Sequence, residues 1–289
     1  MDKKITILPD LSGKLLVFGG VYSNLQALEA LYELAMAEGF TPENTICTGD
    51  VVAYCAQPQE CVDLIRNWGV HCIAGNVEIQ LATGADDCGC NFEGDSRCDI
   101  FSRQWYPFAK EKCNEETLRW MEKLPDFLKF NFGGYSFGTV HGTFDETAGY
   151  LFKSSDWHLK EAQLDKMGVE IMLAGHCGLP FSDLEKCKAW LNSGVVGMPA
   201  NDGTDRVWFM TLEEYETEII ICHRTLEYDT HEPSARMRES KLPQEYARTL
   251  LTGIWDSNEI LPETETSLQG IAFQLDEKPI HLLKQKVVQ

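Results

Sequence analysis

The chain has 289 residues, 44% of them hydrophobic and 24% charged, which suits a soluble globular protein of one large or two small domains. A formal net charge of −20 argues against a protein whose business is the nucleic-acid backbone, because it repels a phosphate polyanion, and it promotes solubility. No run of about 18 apolar residues offers a membrane span, and the opening MDKKITILPDLSG lacks a secretory h-region, so a cytoplasmic protein whose 11 cysteines are mostly reduced is expected.

Short apolar runs at 15–18, 45–48, 71–74, 136–140, 170–174, 191–193, 207–210 and 218–223 are bounded by Gly, Asn or Asp and read as strands. Asn24 can cap a helix whose apolar positions Leu25, Leu28, Leu31 and Ala35 recur at helical spacing. Pro58 can open a second helix, with Cys61, Leu64 and Ile65 on its inner face. Residues 115–123 and 158–166 read as two more. Early alternation of strand and helix, followed mostly by strands, indicates an α/β protein with mixed sheets. The polar stretch 83–113, rich in Gly, Asp and Cys, resembles an insertion into a main domain of residues 1–225. Beyond that, residues 226–289 are expected to form a short helix at 243–251 and a tail packed on the main domain.

Six blocks carry the chemistry: GGVYSN (19–24), GDVVAY (49–54), GNVE (75–78), VHGT (140–143), AGHCG (174–178) and NSGVVGMP (192–199). Several of them end an apolar run, where a strand stops and a site can open at one sheet edge. They place the potential ligands Asp50, Asn76, His141 and His176 in four separate blocks. Taken singly, Asp50 and Asn76 each follow a glycine and read as turn residues, and each histidine as an ordinary core or surface residue. Their order and their strand-end positions together favour a shared site. Mixed oxygen and nitrogen donors suit Zn, Mn or Fe better than Ca or Mg.

These blocks resemble the D-x-H, G-D, G-N-H-[DE], H, G-H-x-H series of the calcineurin-like metallophosphoesterase superfamily, in its small bacterial phosphodiesterase-like branch. The resemblance runs from about Lys14 to Arg224, and the segments 23–28, 61–65 and 192–197 support it. It implies two mixed β-sheets packed as a sandwich and flanked by helices, a four-layer α-β-β-α fold. In that family two metals lie about 3.5–4 Å apart. The resemblance implies that Asp50, Asn76, His141 and His176 complete the second-metal site. The first-metal ligands are replaced by Gly20, Tyr22 and Gly178, and the histidine resembling a general acid by Val77. All three missing ligands serve one metal and all four retained ones the other. The implied cofactor is one divalent transition metal (Mn, Zn or Fe) per chain, and the implied partner a small phosphorylated substrate or ligand.

One reading is therefore a hydrolase acting on a phosphoester through a single or altered metal site. The alternative is a catalytically inactive protein that binds a metal or phospho-ligand, and a third is a thiol-and-metal protein. Glu78 is the nearest replacement acid, or else a helix N-terminal residue favoured by the dipole. Tyr22 can donate a hydrogen bond to a phosphate oxygen or fill vacated space. A rival register through Asp10, Leu11, Ser12 and Gly13 is rejected, because the helix capped by Asn24 follows directly on Tyr22 and Ser23. Cys88, Cys90, Cys98 and Cys113 lie in the 83–113 stretch at no zinc or cluster spacing, so reduced thiols are expected. A loop folding over the site would make them possible soft ligands. Trp105, Tyr106 and Trp120 read as packing.

Overall fold

A computed structural model describes residues 3–90, 96–275 and 279–283. Two parts of the sequence reading, residues 91–95 of the expected insertion and the tail from 284, lie outside these. Among the described residues the strands form two six-stranded sheets. The first is ordered β12 (Ile280–Leu283), β11 (Glu218–Leu226), β10 (Val207–Glu214), β2 (Lys14–Phe18), β3 (Thr45–Cys47), β4 (His71–Cys72). The second is ordered β1 (Ile5–Ile7), β5 (Phe127–Phe132), β6 (Tyr135–Thr139), β7 (Ile171–Ala174), β9 (Lys188–Ser193), β8 (Pro180–Glu185).

Strand β2 shows how the sequence sets the layers. Its side chains alternate between two faces, so Leu15 and Val17 enter the core between the sheets, while Leu16 and Phe18 enter a core under the helices. Ile46, Phe130, Phe137, Ile171, Leu173 and Leu191 join the inter-sheet core. Helices α1 (Leu25–Ala37), α2 (Pro58–Trp68) and α4 (Arg97–Lys112) contribute to the core on one outer face. Helix α6 (Trp157–Met167) contributes to the core on the other. Each fully buried Leu, Ile or Phe contributes roughly 1.5–3 kcal/mol, so period-2 patterning on both faces specifies the sandwich.

Within this frame β2, β3 and β4 are parallel, joined through α1 and α2, and so are β6, β7 and β9. The loops after β2, β3, β6 and β7 carry Gly20–Tyr22, Asp50, His141 and His176 respectively, and Asn76 opens the helix that follows β4. Asn24 caps α1 as expected: its Oδ1 accepts from Ala27 N–H at 3.2 Å, and its Nδ2 donates to Gly197 O at 3.1 Å.

Two stretches differ from the sequence reading. The 83–113 segment is not a peripheral insertion throughout. From Arg97 it forms α4, which buries Phe101, Trp105, Tyr106 and Ala109 in the outer core. Its Gly, Asp and Cys content masked that apolar stripe, and the helix accommodates Pro107 in its interior. The region after residue 226 holds more than one short helix. It includes α7 (His231–Glu239), α8 (Gln244–Thr252), the short α9 (Glu263–Thr266) and β12, which extends the first sheet by pairing antiparallel with β11.

The two sheets also meet through a polar contact between Ser182 Oγ on β8 and His223 Nε2 on β11, at 2.8 Å. Burial pushes the His223 pKa down to about 4 from an ordinary 6.5. The folded state therefore binds this proton less readily than the unfolded chain does. The neutral ring contributes fully above pH 6.5, and that contribution is lost as pH falls from 6.5 towards 4. The loss expected is about 3 kcal/mol. Urea unfolding curves of wild type and His223→Gln at pH 7 and pH 4.5 check it. The wild type should lose more stability between the two pH values than the variant.

Candidate metal centre

The four ligands expected from the sequence converge. His141 Nε2 lies 3.2 Å from Asp50 Oδ2, 3.1 Å from Asn76 Oδ1 and 3.0 Å from His176 Nδ1. All four residues are buried. His141 Nδ1 sits 2.7 Å from the carbonyl oxygen of Thr48, which can only accept, so Nδ1 carries the proton and Nε2 of the neutral ring presents a lone pair. Asn76 Nδ2 donates to Cys88 O at 2.8 Å and points to Cys90 Sγ at 3.2 Å, which turns Oδ1 inward. Four lone-pair atoms therefore face one small volume. Something positive must stand among them, either a proton or a cation. The mixed oxygen and imidazole donor set fits a divalent transition ion.

The charges agree with that reading. Burial opposes ionisation of Asp50, but His141 and His176 outweigh it and hold the carboxyl below its ordinary range. Burial likewise opposes the imidazolium of His141, but the Asp50 carboxylate outweighs it and raises that pKa. His176 is pushed down to about 3, by burial and then by the charge of His141, and stays neutral.

The backbone around the cluster is bent tightly. Tyr22, Ser23, Asp50, Tyr54 and His176 all have positive φ, between 28° and 59°, a region costly to residues with side chains. Such strain persists only where the surroundings over-determine it. Gly75 is required by close approach, since a Cβ there would lie 2.1 Å from Asp50 Oδ1. Glu78 does much of the fixing. Its carboxylate accepts from the N–H groups of Asp50 (2.8 Å), Gly75 (2.9 Å) and Val52 (3.1 Å), tying the second and third blocks together. It is fully buried at the N-terminal turn of α3 (Asn76–Thr83). Burial and the neighbouring Asp50 carboxylate raise its pKa to about 7 against the hydrogen bonds from Val52 and Gly75.

Beside the cluster opens a cleft of about 770 Å³, part of it open to solvent, which Asp50, His176 and Tyr22 help to line. Tyr22 is buried, and burial and then Asp50 keep its hydroxyl protonated. Val77 packs in the outer core. At Gly20 a Cβ would lie 2.4 Å from Val195 Cγ1 and 2.6 Å from Tyr22 Cζ. At Gly178 the Trp255 indole stands 3.4 Å from where a side chain would begin. Cys90 and Cys98 reach the cleft wall, whereas Cys113 is buried in the core under the helices. Asp10 accepts from Asn131 Nδ2 on an exposed face, in keeping with a role outside the site.

Sequence reasoning missed several residues of this site. Thr48 acts through its carbonyl, which its side chain does not announce. Tyr150 packs against His176 with the rings tilted by 33° and centroids 4.4 Å apart, from a loop with no motif of its own. Trp255 and Tyr246 come from the region read as a helix and tail. Asn192 lay in a quoted block, and it donates to Gly175 O at 2.5 Å, bracing the His176 loop.

The chain is thus a two-sheet α/β sandwich with a buried Asp-Asn-His-His cluster at its strand ends. Residues 14–215 match the calcineurin-like phosphoesterase superfamily domain, and the chain belongs to that family. It is 24% identical over 257 residues to an uncharacterized protein of Methanocaldococcus jannaschii, covering 82% of this chain and 97% of that one. Its fold resembles a metallophosphoesterase from Sphaerobacter thermophilus, with a TM-score of 0.64 at 20% identity over 84% of this chain and all of that one. It also resembles a hypothetical protein of Pyrococcus horikoshii, with a TM-score of 0.69 at 19% identity over 85% of this chain and all of that one. The four-layer metallophosphoesterase fold is thereby established. Among the described residues no helix is long and apolar enough to cross a membrane.

Proposed function

We propose that this chain is a metal-dependent phosphoesterase with an altered site, holding one divalent cation through Asp50, Asn76, His141 and His176. The observation that carries the reading is the convergence of their four donor atoms on one volume, with His141 held by the Thr48 carbonyl and Asn76 by that of Cys88. A cation there supplies a Lewis acid for a phosphoryl oxygen. The chain's own residues supply the rest. Tyr22 presents a protonated hydroxyl at the cleft wall, suited to a phosphate oxygen. Glu78 positions Asp50 through the backbone, its oxygens already engaged by three N–H groups.

The crowding at Gly20, where a Cβ would meet Val195 and Tyr22, favours one ion over two. The same feature supports a second reading, a protein that binds a phospho-ligand without turning it over. The test is to strip the protein with a chelator, reload it with Mn²⁺ or Zn²⁺, count bound metal by mass spectrometry and assay bis-p-nitrophenyl phosphate. One equivalent per chain is expected, with turnover that His176→Ala abolishes. One equivalent with no turnover on a phosphoester panel selects the binding reading. Two equivalents, or none, overturn the single-ion site.

A further inference from the structure

The cleft beside the ion cluster has a composition that the phosphoesterase reading does not use. Six of its lining residues are aromatic: Tyr22, Tyr54, Phe101, Tyr150, Tyr246 and Trp255. Among the described residues that line it there is no Lys or Arg. The undescribed stretch at 91–95 reads NFEGD and brings none by sequence. The charged groups on the wall are Asp50 and Asp256. Two arginines stand near Asp256, but both point their charge at it. Arg97 Nε donates to its Oδ2 at 2.9 Å, and Arg248 lies 3.4 Å from its Oδ1.

Phosphate sites in proteins ordinarily spread the ligand's charge over arginines, lysines or helix termini. Here the described lining residues offer no cation of their own beside the proposed ion, and the Asp256 carboxylate is already met by Arg97 and Arg248, so nothing on the described wall neutralises a second negative charge. A phosphodiester carries one negative charge where a monoester carries up to two, so this wall discriminates against the dianion. The rings supply the complementary attraction. Tyr150 packs against the His176 ring, and Asp50 and His176 line the same cleft, so the aromatic wall begins at the candidate ion cluster. A ligand with its phosphorus at the cluster therefore has its ester arm against rings. Flat apolar area gains there by burial and by offset or edge-on ring contact. The Trp255 indole is pre-set for this, because its Nε1–H is already held by Pro199 O at 2.7 Å, leaving its faces for packing.

Resting on the phosphoesterase reading, we infer that the cleft selects monoanionic phosphodiesters bearing an uncharged aromatic or other planar-ring arm, which seats against Tyr150 and Trp255.

The test measures binding, so it does not depend on turnover. Mn²⁺-loaded protein is titrated by calorimetry with diphenyl phosphate, dimethyl phosphate and ribose 5-phosphate. Diphenyl phosphate is expected to bind at least about tenfold more tightly than dimethyl phosphate, with ribose 5-phosphate no tighter than dimethyl phosphate. Tyr150→Ala and Trp255→Ala should each cut the affinity for diphenyl phosphate about tenfold while moving dimethyl phosphate less than twofold. Trp255→Phe, which keeps a ring and guards against misfolding of the alanine variant, should recover most of the loss. Ser257→Arg, which adds a cation to the wall, should raise the affinity for ribose 5-phosphate. Equal binding of the two diesters, tighter binding of ribose 5-phosphate, or an unchanged diphenyl-to-dimethyl ratio in the ring variants overturns the inference. Failure of the phosphoesterase reading has a different signature, absent turnover with ring selectivity intact. Failure of the inference shows as metal binding or turnover without ring selectivity.

Discussion

Glu78→Ala is expected to destabilise the protein by about 3–6 kcal/mol, because it strands three buried N–H donors at about 1–3 kcal/mol each, less whatever water recovers. Those donors belong to Asp50, Gly75 and Val52, so the loss also frees the loop that presents the Asp50 carboxylate. Metal affinity should fall with stability, by about 10–100-fold, the range typical of groups that hold ligands in place. Glu78→Gln keeps one acceptor oxygen but turns an N–H₂ group towards backbone N–H donors, so it should be intermediate. Urea unfolding and a competitive metal titration on the same preparations read both effects. A general acid would behave otherwise, with turnover collapsing while unfolding midpoint and metal affinity hold. That outcome would move Glu78 from positioning to proton transfer.

Restoring the first-metal ligands should fail, and by a wide margin. The Gly20→Asp Cβ would meet Val195 Cγ1 at 2.4 Å and the Tyr22 ring at 2.6 Å. Val195 is β-branched and buried, so it has little freedom to retreat. The φ of 47° at Gly20 is one that aspartate can tolerate, so the cost comes chiefly from collision. A loss of about 2–4 kcal/mol is expected for Gly20→Asp alone, within the range for overpacking. The triple variant Gly20→Asp, Tyr22→His, Gly178→His should bind no second ion, as read by metal analysis and thermal unfolding. Two bound equivalents with an unshifted melting temperature would show that the space is open after all.

The fold was legible because apolar residues follow period 2 in β2 and its neighbours and period 3.6 in α1, with caps and glycines at the ends. The ion cluster was legible for a different reason. Its side chains fall directly after strands whose parallel arrangement brings their ends together, so order along the chain becomes proximity in space. What the sequence hid depends on packing. Tyr150 and Trp255 reach the site from irregular segments, where no periodicity says which way a ring points. The apolar stripe of α4 was obscured by a polar, cysteine-rich approach. The engagement of Glu78 by backbone N–H groups is invisible in residue identities, since the donors are main-chain atoms of three different positions. Likewise, Gly20 did not announce that Val195 crowds its place, nor Gly178 that the Trp255 indole stands against it.

Tyr246, Trp255 and Asp256 stand on the cleft wall, and all three lie beyond residue 215, where the family match stops. Part of the proposed ligand wall is thus encoded outside the stretch that carries the proposed ion ligands, while Tyr150 comes from within it. Relatives that preserve the strand-end cluster but carry another C-terminal segment should share the metal chemistry while recognising different molecules. Grafting the stretch from about 226 onward between such relatives should transfer selectivity without rebuilding the centre itself.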